Sequence, residues 1–128
     1  MIVDTSALLA VFFDEPHAAW VAAQLDGHVG ELRMSTVNLA ETLILLEDRQ
    51  PTLFAQLESE VLGGDIEFVA PTAEQARIAA SARSRFPLNL GDCFAYALAT
   101  SLQEPVLTLD RDFRHCDVEV LSPATPDE

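Results

Sequence analysis

The sequence feature that most constrains the fold is an alternation of short, largely apolar segments with longer segments of helical character. The short segments are predicted strands and comprise residues 1–3, 31–35, 66–69, 105–108 and 119–121. The segments between them are predicted helices and comprise residues 7–13, 18–25, 36–48, 51–62, 72–85 and 90–102. Apolar strands separated by helices are typical of a parallel sheet that helices cover on both faces. The predicted fold class is therefore α/β, with three α/β/α layers around a short, mostly parallel central sheet.

The 128-residue length and the 49% hydrophobic content predict one folded domain rather than a disordered chain. We assign this domain to residues 1–121 and expect a short flexible tail at residues 122–128, where two prolines interrupt a polar segment. No apolar run approaches the roughly 18 residues that a membrane-spanning helix needs. Two cysteines are too few for a disulfide scaffold, and we expect a cytoplasmic protein with reduced thiols.

The chain is strongly acidic, with 21 Asp and Glu residues against seven basic residues and a formal net charge of −14. All seven basic residues are arginines, which excludes mechanisms that require a lysine, such as phosphate binding by a P-loop or Schiff-base chemistry. A charge of this sign and size opposes nonspecific binding to nucleic acids and anionic membranes, and it favours a basic partner.

Two acidic residues come directly after predicted strands. Asp4 ends the first strand, and Asp110 follows the strand at residues 105–108. In open α/β sheets the ligand site lies beyond the carboxyl ends of the strands, so both side chains are candidates for that site. Each can instead cap the helix or turn that follows it. For Asp112, two residues further on, capping or a solvated turn is the favoured interpretation.

Two further acids lie on predicted helices. Glu41 has three apolar residues among its four neighbours at helical spacing, and an unpaired carboxylate is costly to bury there. Because the chain has no lysine and no arginine is near in sequence, a metal ion is a reasonable partner for Glu41. Asp92 opens the alanine-rich helix, where the helix dipole alone also favours an acid.

The four acids Asp4, Glu41, Asp92 and Asp110 are together expected to converge on one edge of the sheet. Carboxylate oxygens in that arrangement suit Mg²⁺ or Mn²⁺, because both are hard cations that prefer oxygen ligands. Without a cation, the carboxylates would raise one another's pKa values and destabilise the fold. A divalent ion at such a site activates water and stabilises a phosphoryl transition state, so the predicted chemistry is phosphodiester hydrolysis.

Four motifs along the chain resemble those of the PIN-domain nucleases. They are Ile2-Val3-Asp4-Thr5-Ser6-Ala7-Leu8, Asn38-Leu39-Ala40-Glu41, Leu90-Gly91-Asp92 leading into Ala95-Tyr96-Ala97-Leu98-Ala99, and Val106-Leu107-Thr108-Leu109-Asp110-Arg111-Asp112-Phe113. Each motif is weak alone, but the four occur in order and at compatible spacing over nearly the whole chain. Within this group the short single-domain chain is similar to the VapC-type toxins of bacterial toxin–antitoxin pairs.

The resemblance implies a Mg²⁺-dependent endoribonuclease that acts on RNA, forms a homodimer and is neutralised by a cognate VapB-like antitoxin. By position, the family's metal-binding and catalytic acids correspond to Asp4, Glu41, Asp92 and Asp110. Asp112 lies beside the fourth position and can share its role as a metal ligand.

The resemblance also implies a division of roles at the site. Asp4, Asp92 and Asp110 are expected to hold the metal directly, while Glu41 binds it through water or orients the attacking water. Small hydroxyl residues often line the site in this family, and Ser6 and Thr108 occupy the matching positions. Capping and turn hydrogen bonds are the alternative explanation for both hydroxyls.

The net charge opposes RNA binding, and two arginine clusters are candidates to offset it. The first comprises Arg77, Arg83 and Arg85, and the second comprises Arg111 and Arg114. Either can bind phosphates in a bidentate way or can simply face solvent. The three histidines, His17, His28 and His115, fall outside the set of acids and are interpreted as surface or structural residues.

The main alternative function is a catalytically weak or silent PIN-fold module that binds or scaffolds, although the presence of all four acids speaks against it. A signalling receiver domain would need a phosphoacceptor Asp after a central strand and a lysine after a later one. Here the strand at residues 66–69 is followed by Ala70-Pro71, and the chain lacks lysine. A phosphatase with an aspartyl nucleophile ranks low, because Asp4-Thr5-Ser6 lacks the second Asp that such enzymes use as an acid.

Overall fold

The computed structural model describes residues 1–124. Its strands within this range are β1 (Ile2–Val3), β2 (Leu32–Ser35), β3 (Ile66–Val69), β4 (Val106–Leu107) and β5 (Val120–Leu121). Its α-helices are α1 (Thr5–Phe12), α2 (Ala18–Gly27), α3 (Thr36–Arg49), α4 (Phe54–Leu62), α5 (Ala73–Arg85) and α6 (Leu90–Leu102). A short 3₁₀ helix, Arg111–His115, lies between β4 and β5.

The five strands form one sheet in the order β3-β2-β1-β4-β5, and every strand pair within residues 1–124 is parallel. Ile2 of β1 lies opposite Arg33 of β2 on one side and opposite Val106 of β4 on the other. The chain therefore builds the sheet outward from β1 to β3 and then returns to the opposite side of β1. The predicted α/β class with a parallel central sheet is confirmed.

The sheet separates two apolar clusters, because successive side chains of a strand point to opposite faces. Val3 and Leu107 belong to the cluster that packs against helices α1 to α4. Ile2 and Val106 belong to the cluster that packs against α5 and α6. All four side chains are fully buried, and burial of each stabilises the fold by about 1.5–3 kcal/mol. These are the three predicted layers.

Side-chain caps fix the starts of three helices. Ser35 caps α3 through the Val37 N–H, Thr72 caps α5 through the Gln75 N–H, and Asn89 caps α6 through the Asp92 N–H. Each cap satisfies a backbone donor that has no partner inside the helix, which is worth about 1 kcal/mol.

Two local predictions differ from the structure. The helix predicted to open at Pro51 begins at Phe54, because Pro51 starts a turn that the Leu53 N–H closes on the Gln50 carbonyl. The 3₁₀ helix after β4 was not predicted.

The predicted tail at residues 122–128 falls partly outside the described residues. In the part of the chain that the structure describes, no helix is long and apolar enough to cross a membrane.

Candidate active site

The site lies at the carboxyl ends of β1 and β4, the two neighbouring strands between which the sheet order reverses. The Asp4 N–H donates to the Leu107 carbonyl at 3.0 Å, which holds the two strand ends together. Asp4 follows β1 and Thr108 follows β4, so both side chains project at this reversal. In parallel α/β sheets a crevice for ligands forms at such a point.

The Asp4 side chain does not cap α1, although Asp4 occupies the N-cap position. Its Oδ2 instead accepts hydrogen bonds from Ser6 Oγ and Thr108 Oγ1, each at 2.8 Å. The capping interpretation of Asp4 is therefore wrong. Asp4 is 1% exposed, so two hydroxyl donors replace the water that one of its oxygens has lost.

Backbone donors from the loop after β4 fix both of these hydroxyls. Ser6 Oγ accepts from the Leu109 N–H at 3.0 Å, and Thr108 Oγ1 accepts from the Asp110 N–H at 2.9 Å. Each hydroxyl thus relays a hydrogen bond from the backbone to Asp4 Oδ2. The other oxygen, Asp4 Oδ1, is buried and has no hydrogen-bond partner among the described residues.

Asp92 lies in the first turn of α6 and is 4% exposed. Its N–H donates to Asn89 Oδ1 at 2.9 Å, while its carboxylate oxygen Oδ2 is buried without a hydrogen-bond partner among the described residues. Burial raises the pKa of Asp92 well above its ordinary value, and the charges of Asp4 and Asp110 raise it further. Asp92 and Asp4 thus each have one buried carboxylate oxygen without a hydrogen-bond donor among the described residues.

The remaining two acids complete a cluster around Asp4. Burial raises the pKa of Asp4 to about 6, the charges of Asp110 and Glu41 add to this rise, and the two hydroxyls oppose it. Glu41 is half-buried on α3, and its carboxylate lies against the α-carbon of Gly91, where a Cβ would come within 2.5 Å of Oε1. The structure therefore brings Asp4, Glu41, Asp92 and Asp110 together.

Asp110 makes the predicted cap and also lies close enough to the other acids for its charge to act on them. Its Oδ1 accepts from the Asp112 N–H at 2.9 Å and so caps the 3₁₀ helix, while its charge acts on Asp4 and Asp92. Asp112 is exposed, and its backbone N–H rather than its carboxylate makes the hydrogen bond to Asp110.

Asn38 is a residue of this site whose role the sequence analysis missed. It is fully buried on α3, and its Nδ2 donates to Thr5 Oγ1 at 3.1 Å and to the Gly91 carbonyl at 3.0 Å. These bonds tie α3 to the first turns of α1 and α6. The available signal was a polar residue on the apolar helix that carries Glu41, one turn before it.

The donor chemistry of the cluster fits a hard divalent cation. Asp4 Oδ1 and Asp92 Oδ2 are buried acceptors without donors in the described part of the chain, and the charges of Asp110 and Glu41 act on Asp4. Within residues 1–124, however, no three His, Cys, Asp or Glu side chains already stand as a formed metal site. A cation bound here would need a third carboxylate to reorient, and Asp110 and Glu41 are the less buried acids of the cluster.

The predicted arginine cluster on α5 is not arranged to bind phosphate. Arg77 is paired with Glu74, and Arg85 donates to the Tyr96 hydroxyl at 3.0 Å and lies 3.6 Å from Asp117. Two of its three members are therefore held by other side chains of the fold.

Comparisons with known proteins agree with this architecture. The PIN domain family matches residues 1–119. Ribonuclease VapC30 of Mycobacterium tuberculosis is 35% identical over 95% of this chain and 98% of its own. Ribonuclease VapC36 of the same organism is 39% identical over 93% of this chain and 91% of its own.

Solved structures share the fold at lower sequence identity. One is VapC20 of Mycobacterium tuberculosis, described as a sarcin–ricin loop cleaving toxin, with a TM-score of 0.77 and 19% identity over 95% of this chain and 98% of that one. Another is DNA-bound VapBC from Salmonella typhimurium, with a TM-score of 0.75 and 15% identity over 94% of this chain and 96% of that one.

Proposed function

Because the chain belongs to the PIN domain family and to its VapC group, we propose that it is a Mg²⁺-dependent endoribonuclease, the toxin of a toxin–antitoxin pair. The observation that carries the proposal is the pair of buried, unsatisfied oxygens, Asp4 Oδ1 and Asp92 Oδ2, inside a cluster of four acids. Unpaired buried acceptors destabilise a fold, so two of them on acids whose charges repel each other support a cation as the ligand of the site.

In this proposal Asp4, Asp92 and Asp110 hold Mg²⁺, with Mn²⁺ as a possible substitute. When bound, the ion lowers the pKa of water and neutralises charge that develops on the scissile phosphate and the leaving oxygen. The Ser6 and Thr108 hydroxyls keep Asp4 Oδ2 occupied, so Oδ1 is the oxygen that Asp4 offers.

Glu41 orients the attacking water and accepts its proton. Its half-buried carboxylate lies beside Gly91 in the first turn of α6, where the helix dipole favours an anion. Asn38 positions this arrangement, because it binds the Gly91 carbonyl from the same helix that carries Glu41. Asp112 is a further candidate ligand, at the position next to Asp110.

Three features of the wider context also belong to the proposal. Solved VapBC complexes among the structural neighbours support a VapB-like antitoxin as a partner. A homodimer follows from the family resemblance and a cytoplasmic location from the composition, and both stay predictions. Sedimentation of the purified protein measures the first of these directly.

The test is cleavage of end-labelled total RNA by purified protein in Mg²⁺, in EDTA and after Asp4→Asn. We expect discrete fragments in Mg²⁺ that disappear in EDTA and fall at least about 100-fold with Asp4→Asn, as for loss of a central electrostatic group. Asp48→Asn, which alters an exposed acid on α3, is the matched control and should cleave normally. Absence of cleavage in both Mg²⁺ and Mn²⁺ at low salt would contradict the proposal and favour the silent binding module.

A further inference from the structure

Five of the seven arginines of this acidic chain differ clearly in their partners. Three are paired with carboxylates in the described residues, namely Arg33, Arg77 and Arg85. Arg49 and Arg114 form no such ion pair within residues 1–124. The Arg49 guanidinium lies over the Phe13 ring, 4.7 Å from its centroid, and Arg114 Nε donates to the Arg111 carbonyl at 3.1 Å. Both side chains are exposed, so their charge is available to an anion.

These two arginines line neighbouring clefts that adjoin the acidic cluster. Arg49 and Ser6 line a cleft of about 370 Å³, and Ser6 is bonded to Asp4. Arg114 and Asp110 line a second cleft of about 230 Å³. His17 and Leu109 border both clefts, so the two lie side by side at this pair of residues. We call these two adjoining clefts the arginine trough.

We propose that the arginine trough holds a single-stranded RNA, with Arg49 and Arg114 binding phosphates on either side of the bond that the acidic cluster cleaves. This inference rests on the proposed nuclease function and adds where and how the substrate is bound. His17, exposed at the junction of the two clefts, contacts the nucleotide between those phosphates.

The chemistry of the trough favours a polyphosphate strand over a basic protein segment. Arginine binds phosphate through paired N–H donors, and stacking on Phe13 restricts Arg49 so that less side-chain entropy is lost on binding. A basic antitoxin segment would be repelled by both arginines, although Glu15 in the larger cleft and Asp110 in the smaller one each offer it an acid. The trough also places two positive charges beside the acidic cluster of a chain whose net charge is −14.

The experiment measures binding of a short fluorescein-labelled oligouridylate by fluorescence anisotropy in EDTA, at salt concentrations from about 50 to 200 mM. The test variant is Arg49→Gln with Arg114→Gln. The matched control is Arg77→Gln with Arg83→Gln, which removes the same charge from two exposed positions on α5. A third variant, Arg49→Lys with Arg114→Lys, keeps the charge, and thermal melting verifies that all variants are folded.

We expect the test variant to weaken binding at least about tenfold at the lowest salt. The slope of log K against log salt should fall by about 1.4, since each phosphate contact on a single strand contributes about 0.7. The control pair should keep the wild-type slope, and the lysine pair should restore most of it. In Mg²⁺ the test variant should raise KM for cleavage and leave kcat nearly unchanged.

The trough assignment is overturned if the test variant retains the wild-type affinity and slope, or if the wild-type protein does not bind the oligouridylate. These outcomes are separable from those of the cleavage test. Arginine-dependent binding without cleavage supports the trough and rejects the nuclease, whereas cleavage that is indifferent to both arginines does the reverse.

Discussion

The two oxygens of Asp4 have opposite environments, and this asymmetry explains much of the site. Oδ2 receives two hydroxyl hydrogen bonds at 2.8 Å, while Oδ1 receives none among the described residues. The hydroxyls are themselves held by backbone N–H groups, so Asp4 has little freedom to turn the unsatisfied oxygen away. The cost of burying that oxygen is therefore built into the metal-free protein, and we propose that a bound cation offsets it.

Gly91 allows a prediction that separates activity from stability at this scale. A Cβ at Gly91 would lie 2.5 Å from Oε1 and 2.9 Å from Oε2 of Glu41, so Gly91→Ala must displace the Glu41 carboxylate. The displaced group is the end of a flexible side chain, and alanine favours a helix by up to about 1 kcal/mol over glycine. We expect RNA cleavage to fall about tenfold or more while the melting temperature stays equal or rises.

The matched control for this change is Gly27→Ala. Gly27 also lies on a helix, α2, and a Cβ there meets nothing within 4 Å. It should gain similar helix stability and retain full cleavage. Unchanged cleavage by Gly91→Ala would show that the position of the Glu41 carboxylate does not matter for the reaction.

At the scale of elements, the start of α6 is the helix boundary that matters most for the site. Asn89 accepts the Asp92 N–H at 2.9 Å, so the same residue that caps the helix also fixes the backbone of a site acid. Thr72 makes the equivalent cap on α5 through the Gln75 N–H at 3.1 Å, away from the site acids. We expect Asn89→Ala and Thr72→Ala each to lower the free energy of unfolding by about 1 kcal/mol.

Only the first of these cap variants should impair function. Asn89→Ala should reduce cleavage about 10-fold, as loss of a residue that orients a metal ligand typically does, and Asn89→Asp should largely restore it. Thr72→Ala should cleave RNA as the wild type does. Equal cleavage by the two alanine variants, measured at matched fractions folded, would argue that the cap serves helix stability alone.

The elements were predictable from sequence because each carries local signals. The strand β1 presents Ile2 to one face of the sheet and Val3 to the other, and both residues are apolar. Ser35 is a typical N-cap residue and marks the start of α3. Hydrophobic pattern and capping residues therefore suffice to place these elements. The turn at Pro51 was not predicted, because a proline at the start of a helix and a proline in a turn look alike in sequence. The 3₁₀ helix at residues 111–115 was not predicted either.

The site was predictable as a set of residues and not as a set of contacts. Asp4 and Asp110 could be placed because the ends of parallel strands share one sheet edge. The hydroxyl relay to Asp4 and the packing of Glu41 against Gly91 join positions about 50 to 100 residues apart, and no local pattern encodes such contacts. The pairing of Arg77 with Glu74 likewise depends on which way two exposed side chains turn.

At the scale of the whole molecule, the buried acids make metal-free stability depend on pH in a defined direction. The pKa of Asp4 is raised from 3.8 to about 6, so the folded protein binds a proton more tightly than the unfolded chain does. The stabilisation from that proton is complete below about pH 4 and is lost as the pH rises through 6. Integrated over this window, Asp4 alone removes about 3 kcal/mol, and the raised pKa of Asp92 extends the decline to higher pH.

Asp117 affects the dependence of stability on pH in the opposite direction. Its hydrogen bond from Tyr96 lowers its pKa, so its stabilising contribution is present above the ordinary value and is lost at more acidic pH. In EDTA we therefore expect the highest melting temperature near pH 4 and a decrease of roughly 10 °C by pH 8, given a few degrees per kcal/mol for a chain of this size. Differential scanning calorimetry across this range measures the profile.

Mg²⁺ should counteract the decrease in melting temperature at alkaline pH. The ion binds the ionised carboxylates, so the melting-temperature increase from saturating Mg²⁺ should be small at pH 5 and large at pH 8, following the ratio of its concentration to its dissociation constant. Asp4→Asn removes the titrating group and a ligand together, so in EDTA it should flatten the decline between pH 5 and 8 and lose the response to Mg²⁺. Asp48→Asn should follow the wild type in both conditions. A wild-type profile that is flat in EDTA, or a Mg²⁺ shift of equal size at pH 5 and pH 8, would show that the cluster is not the group whose ionisation the cation stabilises.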